Sequence, residues 1–326
     1  MKNIKKKNTI IYFLIIVVVL LLCAVAILWW KIPSRAVAKI RSVLRRDVCV
    51  YEEKVDIEGL EEPFTIIFIA DSHIALCDSR DSSMKEISKA RYDEFKRDSK
   101  GADGNFSILM DSVKKEKPDL VIFGGDITDA ATYASVEFVE KEIEELDCPY
   151  IYCMGNHDFT YMDEYFSEKA YSEYRPRFQN LNDEAGCSIA EYDDFIVLAL
   201  DDANNRFCEE ACDVATQLKK TGKPVVLVTH VPFVPLGTES DLISATNEVW
   251  GAGENGNSRV LIGEKGCYPD ENTKKIIDFA SDEDGPVKLI LAGHIHFFHE
   301  DFMNSETLQI TSPPAYERGY VKVTLF

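Results

Sequence analysis

Five short segments carry residues able to do chemistry: Asp71-Ser72-His73, Gly124-Gly125-Asp126-Ile127-Thr128-Asp129, Gly155-Asn156-His157-Asp158, His230, and Gly293-His294-Ile295-His296. Carboxylate, imidazole and amide oxygen together suit hard or borderline divalent ions such as Mn, Fe, Zn or Co. Of the six histidines in the chain, five lie in these segments; His299 stands outside them and reads as an exposed side chain. In extended chain residues i and i+2 face the same way, so Asp71 with His73, and His294 with His296, are expected to converge. Gly124, Gly125, Gly155 and Gly293 allow sharp turns and close backbone approach to a ligand. Taken singly, each segment has a plainer explanation. Asp126 or Asp129 could cap a helix, Asn156 could serve a turn, and His230 could be a satisfied core histidine. Taken together they point to a cation, because gathering buried charges at one edge without compensation is strongly unfavourable.

The segments must be positioned by something, and each follows a short apolar run. Phe64–Ala70, Leu120–Phe123, Tyr150–Cys153, Phe195–Leu200, Val225–Thr229 and Lys288–Ala292 are β-branched and continuous, which predicts strands buried on both faces. Leu308–Thr311 and Tyr320–Leu325 add late strands, and Glu191–Asp194 reads as a turn. Helices are predicted over Phe106–Lys117, Ala134–Leu146 and Cys208–Lys220, the last stopped by Gly222 and Pro224. This alternation is that of an α/β domain with mixed sheets, whose carboxyl strand edges are where such folds assemble sites. Two connections, 74–105 and 231–275, are long enough to be functional. They are expected to shape the pocket, with Pro313, Pro314 and Tyr316 at its border.

The charge balance narrows the function. Ten Lys and Arg fall within residues 1–46 with no acid; the remaining 26 bases face 56 acids, a net of −30. So acidic a body repels phosphate backbones, so no nucleic-acid partner is expected through a basic surface. Nine cysteines show no CxxC pairing. Cys23 lies in an apolar run; the other eight are either disulfide partners or small apolar fillers, Cys153 being of the second kind.

From Ile10 to Trp30 no residue is charged. At about 1.5 Å per residue the segment reaches about 30 Å, the thickness of a bilayer core. It outruns the small-residue site Ala24-Val25-Ala26, so an uncleaved signal-anchor is expected rather than a cleaved signal peptide. The expected organisation is a basic tail over 1–9, a transmembrane anchor over 10–30, a basic helical stalk and linker over 31–60, and the α/β domain over 61–326. The expected localisation is the cell membrane, single-pass, with the domain extracytoplasmic.

In order, Asp71 to His296 meet the series D-x-H, G-D-x-x-D, G-N-H-[D/E], H and G-H-x-H, and in this the sequence resembles the calcineurin-like metallophosphoesterase superfamily over roughly residues 64–326. The resemblance implies a four-layer α/β/β/α sandwich of two mixed β-sheets flanked by helices, here preceded by one transmembrane helix. It implies two divalent metal ions. One would be held by Asp71, His73 and His296, the other by Asn156, His230 and His294, with Asp126 bridging. His157 matches the histidine that contacts substrate and protonates the leaving oxygen, and Asp129 the acid that orients it. Asp158 is expected to steady its turn. The implied chemistry is hydrolysis of a phosphate mono- or diester by a metal-bridging hydroxide, and two cations explain how an acidic body binds phosphate. Ala130-Ala131 stand where the protein Ser/Thr phosphatase branch has Arg-Gly, which speaks against that branch; the GHxH ending and the compact motif spacing look more like the bacterial phosphoesterase and phosphodiesterase branches. The anchor makes an envelope- or lipid-linked phosphate an expected substrate. The competing reading is a non-catalytic scaffold of the same fold that binds protein partners.

Overall fold

The computed structural model describes residues 48–159, 168–182, 186–203, 206–237, 240–267 and 269–326. Among them the strands are β1 (Cys49–Val55), β2 (Phe64–Ile69), β3 (Leu120–Gly124), β4 (Tyr150–Cys153), β5 (Cys187–Glu191), β6 (Ile196–Leu200), β7 (Val225–Val228), β8 (Val287–Ala292), β9 (His299–Phe302), β10 (Leu308–Thr311) and β11 (Gly319–Leu325). The helices are α1 (Lys85–Glu94), α2 (Ala102–Glu116), α3 (Tyr133–Glu144), α4 (Glu168–Tyr174), α5 (Glu209–Leu218), α6 (Leu242–Trp250) and α7 (Glu271–Ala280).

Two mixed sheets form, ordered β1-β11-β2-β3-β4 and β5-β6-β7-β8-β10-β9. Their centres are parallel, β2 with β3 and β4, and β6 with β7 and β8. Strand alternation makes the layers. Ile66, Phe68, Leu120 and Ile122 of the first sheet pack against Val197, Val226, Leu289 and Leu291 of the second. Their neighbours Ile67, Ile69, Val121 and Phe123 face outward onto Phe106, Leu109 and Val113 of α2 and Val136, Val139 and Ile143 of α3. On the other side Ile196, Leu198, Leu227 and Ile290 meet Ala211 and Ala215 of α5 and Ile276 and Phe279 of α7. Both strand faces are therefore covered, which is why these strands read as unbroken apolar runs. Each fully buried Ile, Leu, Val or Phe contributes about 1.5–3 kcal/mol. Cys153 and Cys212 fill the same cores.

The sandwich expected from the sequence is present, but the transmembrane helix expected before it is not found: among the described residues no helix is long and apolar enough to cross a membrane. The longest described helix, α2, has 15 residues. At about 1.5 Å each it falls short of a roughly 30 Å bilayer core, and it carries Asp103, Asp111, Lys114 and Lys115. The assigned tail 1–9, anchor 10–30 and most of the helical stalk lie outside the described residues. The reading of a membrane-anchored enzyme is corrected accordingly. Membrane attachment through residues 10–30, a single-pass membrane location and an envelope- or lipid-linked substrate are set aside with it.

Two differences are local. Cys49–Val55, within the segment read as stalk and linker, is an edge strand paired parallel to β11; its alternation of polar and apolar residues suits one buried face. The connection 74–105 contains α1, whose sequence KEISKARYDE buries only Ser88 and Arg91. Hydrophobic periodicity had nothing there to report.

Candidate metal centre

The five segments meet at one place, but not by strand alternation. Asp71 and His73 have φ of 59° and 51°, Asp126 52°, and His294 and His296 70° and 58°. The left-handed region costs a non-glycine residue of order 1–3 kcal/mol, so convergence is achieved by strained turns, correcting the extended-chain expectation. Backbone pairing holds the first two turns together: Asp71 N–H donates to the Gly125 carbonyl at 3.0 Å, His73 N–H to the Asp126 carbonyl at 2.9 Å and Ile74 N–H to that of Ile127 at 3.0 Å. Close approach explains two glycines. Gly125, at φ 90°, leaves no room for a Cβ, which would lie 2.5 Å from His230 Nδ1; at Gly155 a Cβ would lie 2.3 Å from the Asp126 nitrogen.

Two donor groups result, Asp71 with His73, Asp126 and His296, and Asp126 with His230 and His294. Asp126 belongs to both. His73 Nε2 lies 2.9 Å from His296 Nε2, and His296 Nε2 3.4 Å from Asp71 Oδ1. His230 Nε2 lies 3.0 Å from Asp126 Oδ2. Asn156 is buried between Gly155 and His157, and the His157 N–H donates to Asp126 Oδ1 at 2.7 Å.

These groups fit a pair of divalent ions. His230 Nδ1 faces the Gly124 carbonyl at 2.8 Å; the carbonyl can only accept, so Nδ1 carries the proton. In the neutral ring Nε2 is then a lone pair aimed at Asp126 Oδ2, and neither atom makes a hydrogen bond. Two acceptors facing one another in a buried site call for a cation. Likewise His73 and His296 present nitrogens too close for two protons. Nitrogen and oxygen donors without sulfur match Mn, Fe, Zn or Co.

Titration follows the same crowding. Burial would raise Asp126, yet His230, His157 and His73 hold it well below the usual carboxylate range. Asp71 is lowered against its burial by His296 and His230. Burial opposes charge on His230, but Asp126 and Asp71 push it up to about 10. His294, buried and beside His230, falls to about 3.

A supporting layer fixes these ligands. His157 Nδ1 lies 2.9 Å from Asp129 Oδ1, leaving Nε2 toward the partly open side, where the ring is 17% exposed. Burial works against its charge, but Asp126 and Asp129 raise its pKa. Asp158, fully buried, accepts from the N–H groups of Asp126, Gly155 and Thr128 at 3.0, 2.8 and 2.8 Å, and from Tyr152 Oη. It steadies its own G-N-H-D turn through Gly155, as expected, and beyond that expectation ties it to the G-D-x-x-D turn.

Sequence reading missed three contributors. Arg91 of α1 donates Nε to Asp129 Oδ2 at 2.7 Å. Asp202, after β6, accepts from the His230 and Val231 N–H groups, both at 2.8 Å. An aromatic wall of Phe95, Tyr316 and Trp250 stands beside His73 and His296; of these only Tyr316 was anticipated. Position after a strand was an available signal for Asp202; Arg91, Phe95 and Trp250 lie in the connections 74–105 and 231–275 expected to shape the pocket, but nothing in the sequence singled out these residues.

A family model described as calcineurin-like phosphoesterase matches residues 64–298. A protein of Arcobacter nitrofigilis named "Probable glycerophosphodiester phosphodiesterase" is 32% identical over 93 residues, 28% of this chain and 29% of that one. A "Probable cyclic nucleotide phosphodiesterase" of Synechococcus sp. is 40% identical over 52 residues, 16% of this chain and 20% of the other. The matches thus span under a third of either curated relative. A dimetal phosphatase from Danio rerio shares the fold, with a TM-score of 0.50 at 14% identity, covering 80% of this chain and 92% of that one.

Proposed function

The chain belongs to the calcineurin-like phosphoesterase family, and on that premise we propose that it is a dinuclear enzyme hydrolysing a phosphodiester, with each site residue in a definite role. It is a metal-dependent phosphoesterase in which two donor groups share one carboxylate. That sharing, Asp126 between the histidines of both groups, carries the reading. The names of the two curated relatives support a diester over a monoester.

In this proposal Asp71, His73 and His296 would hold one ion and Asn156, His230 and His294 the other, with Asp126 shared between the two groups. Two divalent ions supply Lewis acidity toward phosphoryl oxygens and lower the pKa of water. The protein supplies the rest. Asp202 holds the His230 backbone and Asp158 that of Asp126, so the donors are fixed before substrate arrives and need no reorganisation. His157 keeps a proton on Nδ1 for Asp129 and presents Nε2 to the leaving oxygen, to which it delivers a proton. Arg91 holds the second oxygen of Asp129, which stops that carboxylate from rotating away from His157. Phe95, Tyr316 and Trp250 flank the open side and limit water there.

The test is turnover of bis-p-nitrophenyl phosphate against p-nitrophenyl phosphate by the metal-loaded protein. The diester is expected to be preferred, and Asp126→Asn to abolish both activities. Turnover by Asp126→Asn at the unsubstituted rate would be fatal to the shared carboxylate; preference for the monoester would overturn the diester assignment alone.

A further inference from the structure

Away from this centre, His299 is not the exposed side chain expected from sequence. It begins β9, and its side chain is only 7% exposed. Its Nε2 is buried and makes no hydrogen bond. It is nonetheless 3.1 Å from Asp241 Oδ1 and 3.6 Å from Asp301 Oδ2. We propose that His299, Asp241 and Asp301 form a third divalent-metal site, separate from the dinuclear centre, that staples α6 to the edge of the second sheet.

Three observations carry this. First, the spacing is that of ligands around one ion. Metal–ligand bonds of about 2.0–2.2 Å in tetrahedral geometry place donor atoms about 3.3–3.6 Å apart, and the observed separations lie around that range. Second, an ordinary imidazolium–carboxylate pair would aim its N–H along the line to an oxygen. Here a carboxylate oxygen stands at 3.1 Å with no hydrogen bond, as also happens between His230 Nε2 and Asp126 Oδ2 in the main centre. Third, the acid least able to move is already oriented: Phe302 N–H donates to Asp301 Oδ1 at 2.8 Å, and Ser240 Oγ donates to Oδ2. A neutral imidazole with two carboxylates balances a divalent charge, and the nitrogen and oxygen donors suit Zn. Asp241, whose side chain is 81% exposed, lies on the solvent side of this group.

The placement gives the site a consequence. Asp241 immediately precedes α6, and the last residue of that helix is Trp250, whose Nε1 donates to the Ile295 carbonyl at 3.0 Å and whose ring lies 5.2 Å from that of His296. An ion at His299 thus pins the start of the helix whose end flanks His296 of the main centre.

The experiment is equilibrium dialysis of the full chain against micromolar Zn²⁺, followed by metal and protein quantification, for the unsubstituted protein, Asp241→Asn and His299→Gln. Asp241 is exposed, so its substitution leaves folding intact whatever happens at His299. Each variant is expected to hold one equivalent of zinc fewer than the unsubstituted chain. Because the difference is read, the result stands apart from how many ions the main centre takes. Equal zinc in the unsubstituted chain and in Asp241→Asn would overturn the proposal.

Discussion

Arg91→Met is the most informative single change, because it removes a charge without removing bulk. Arg91 and Asp129 are both buried, at 9% and 3% side-chain exposure, and their contact is 2.7 Å. Taking away one partner of a buried pair costs about 3–5 kcal/mol, since the other is left as an uncompensated charge. Asp129 retains the proton on His157 Nδ1, which places the expected loss at the lower end, about 3 kcal/mol. Against a typical total of about 5–15 kcal/mol that is a large fraction. Urea unfolding should be measured in chelator, so that metal binding does not stabilise the native state, with Asp129→Asn and the double variant completing a cycle. A coupling energy of about 2 kcal/mol is expected, with an unchanged denaturant slope. In the metal-loaded protein kcat should fall about tenfold, because an Asp129 free to rotate no longer fixes His157; that corresponds to about 1.4 kcal/mol in the barrier. A coupling below about 0.5 kcal/mol would refute the argument that α1 is recruited by this pair.

Other outcomes follow from the same geometry. Asp158→Ala leaves the N–H groups of Asp126, Gly155 and Thr128 without their acceptor; at about 1–3 kcal/mol each the loss should be at least about 3 kcal/mol in chelator, and a change under 1 kcal/mol would show that water replaces the carboxylate. Gly125→Ala forces a Cβ against His230 Nδ1 and the Gly155 nitrogen at positive φ, so metal analysis should find weakened binding together with about 2–4 kcal/mol of destabilisation; normal metal content would count against the packed turn. Chelation should abolish hydrolysis and lower the thermal midpoint, both restored by Mn²⁺ or Zn²⁺; an unaffected midpoint would mean that the donors do not hold ions in the folded protein.

Much of the fold and nearly all of the candidate centre were legible in the sequence. Strands buried on both faces announce themselves as apolar runs, and donors placed just after them sit at the edge where α/β sheets gather sites. Edge strands are less legible: β1, β5 and β9 bury one face at most and mix charged with apolar residues. Helix α1 was hidden for a related reason, being held by a buried ion pair and not by an apolar stripe. His299 shows the limit from the other side, because local sequence does not tell whether a histidine on an edge strand is covered.

What the sequence determined by itself is the inventory: which donors exist, in what order, each behind a run of residues that must become strand. Tertiary structure decided how they meet. Asp71, His73, Asp126, His294 and His296 adopt a backbone conformation that local preference disfavours; contacts from distant segments hold these turns, the Gly125 and Asp126 carbonyls at Asp71 and His73, the Asp158 carboxylate at Asp126, and the Asp71 carboxylate at the His294 N–H. Local propensity is set by a residue and its neighbours, whereas that strain is offset only by partners brought together when the two sheets pack.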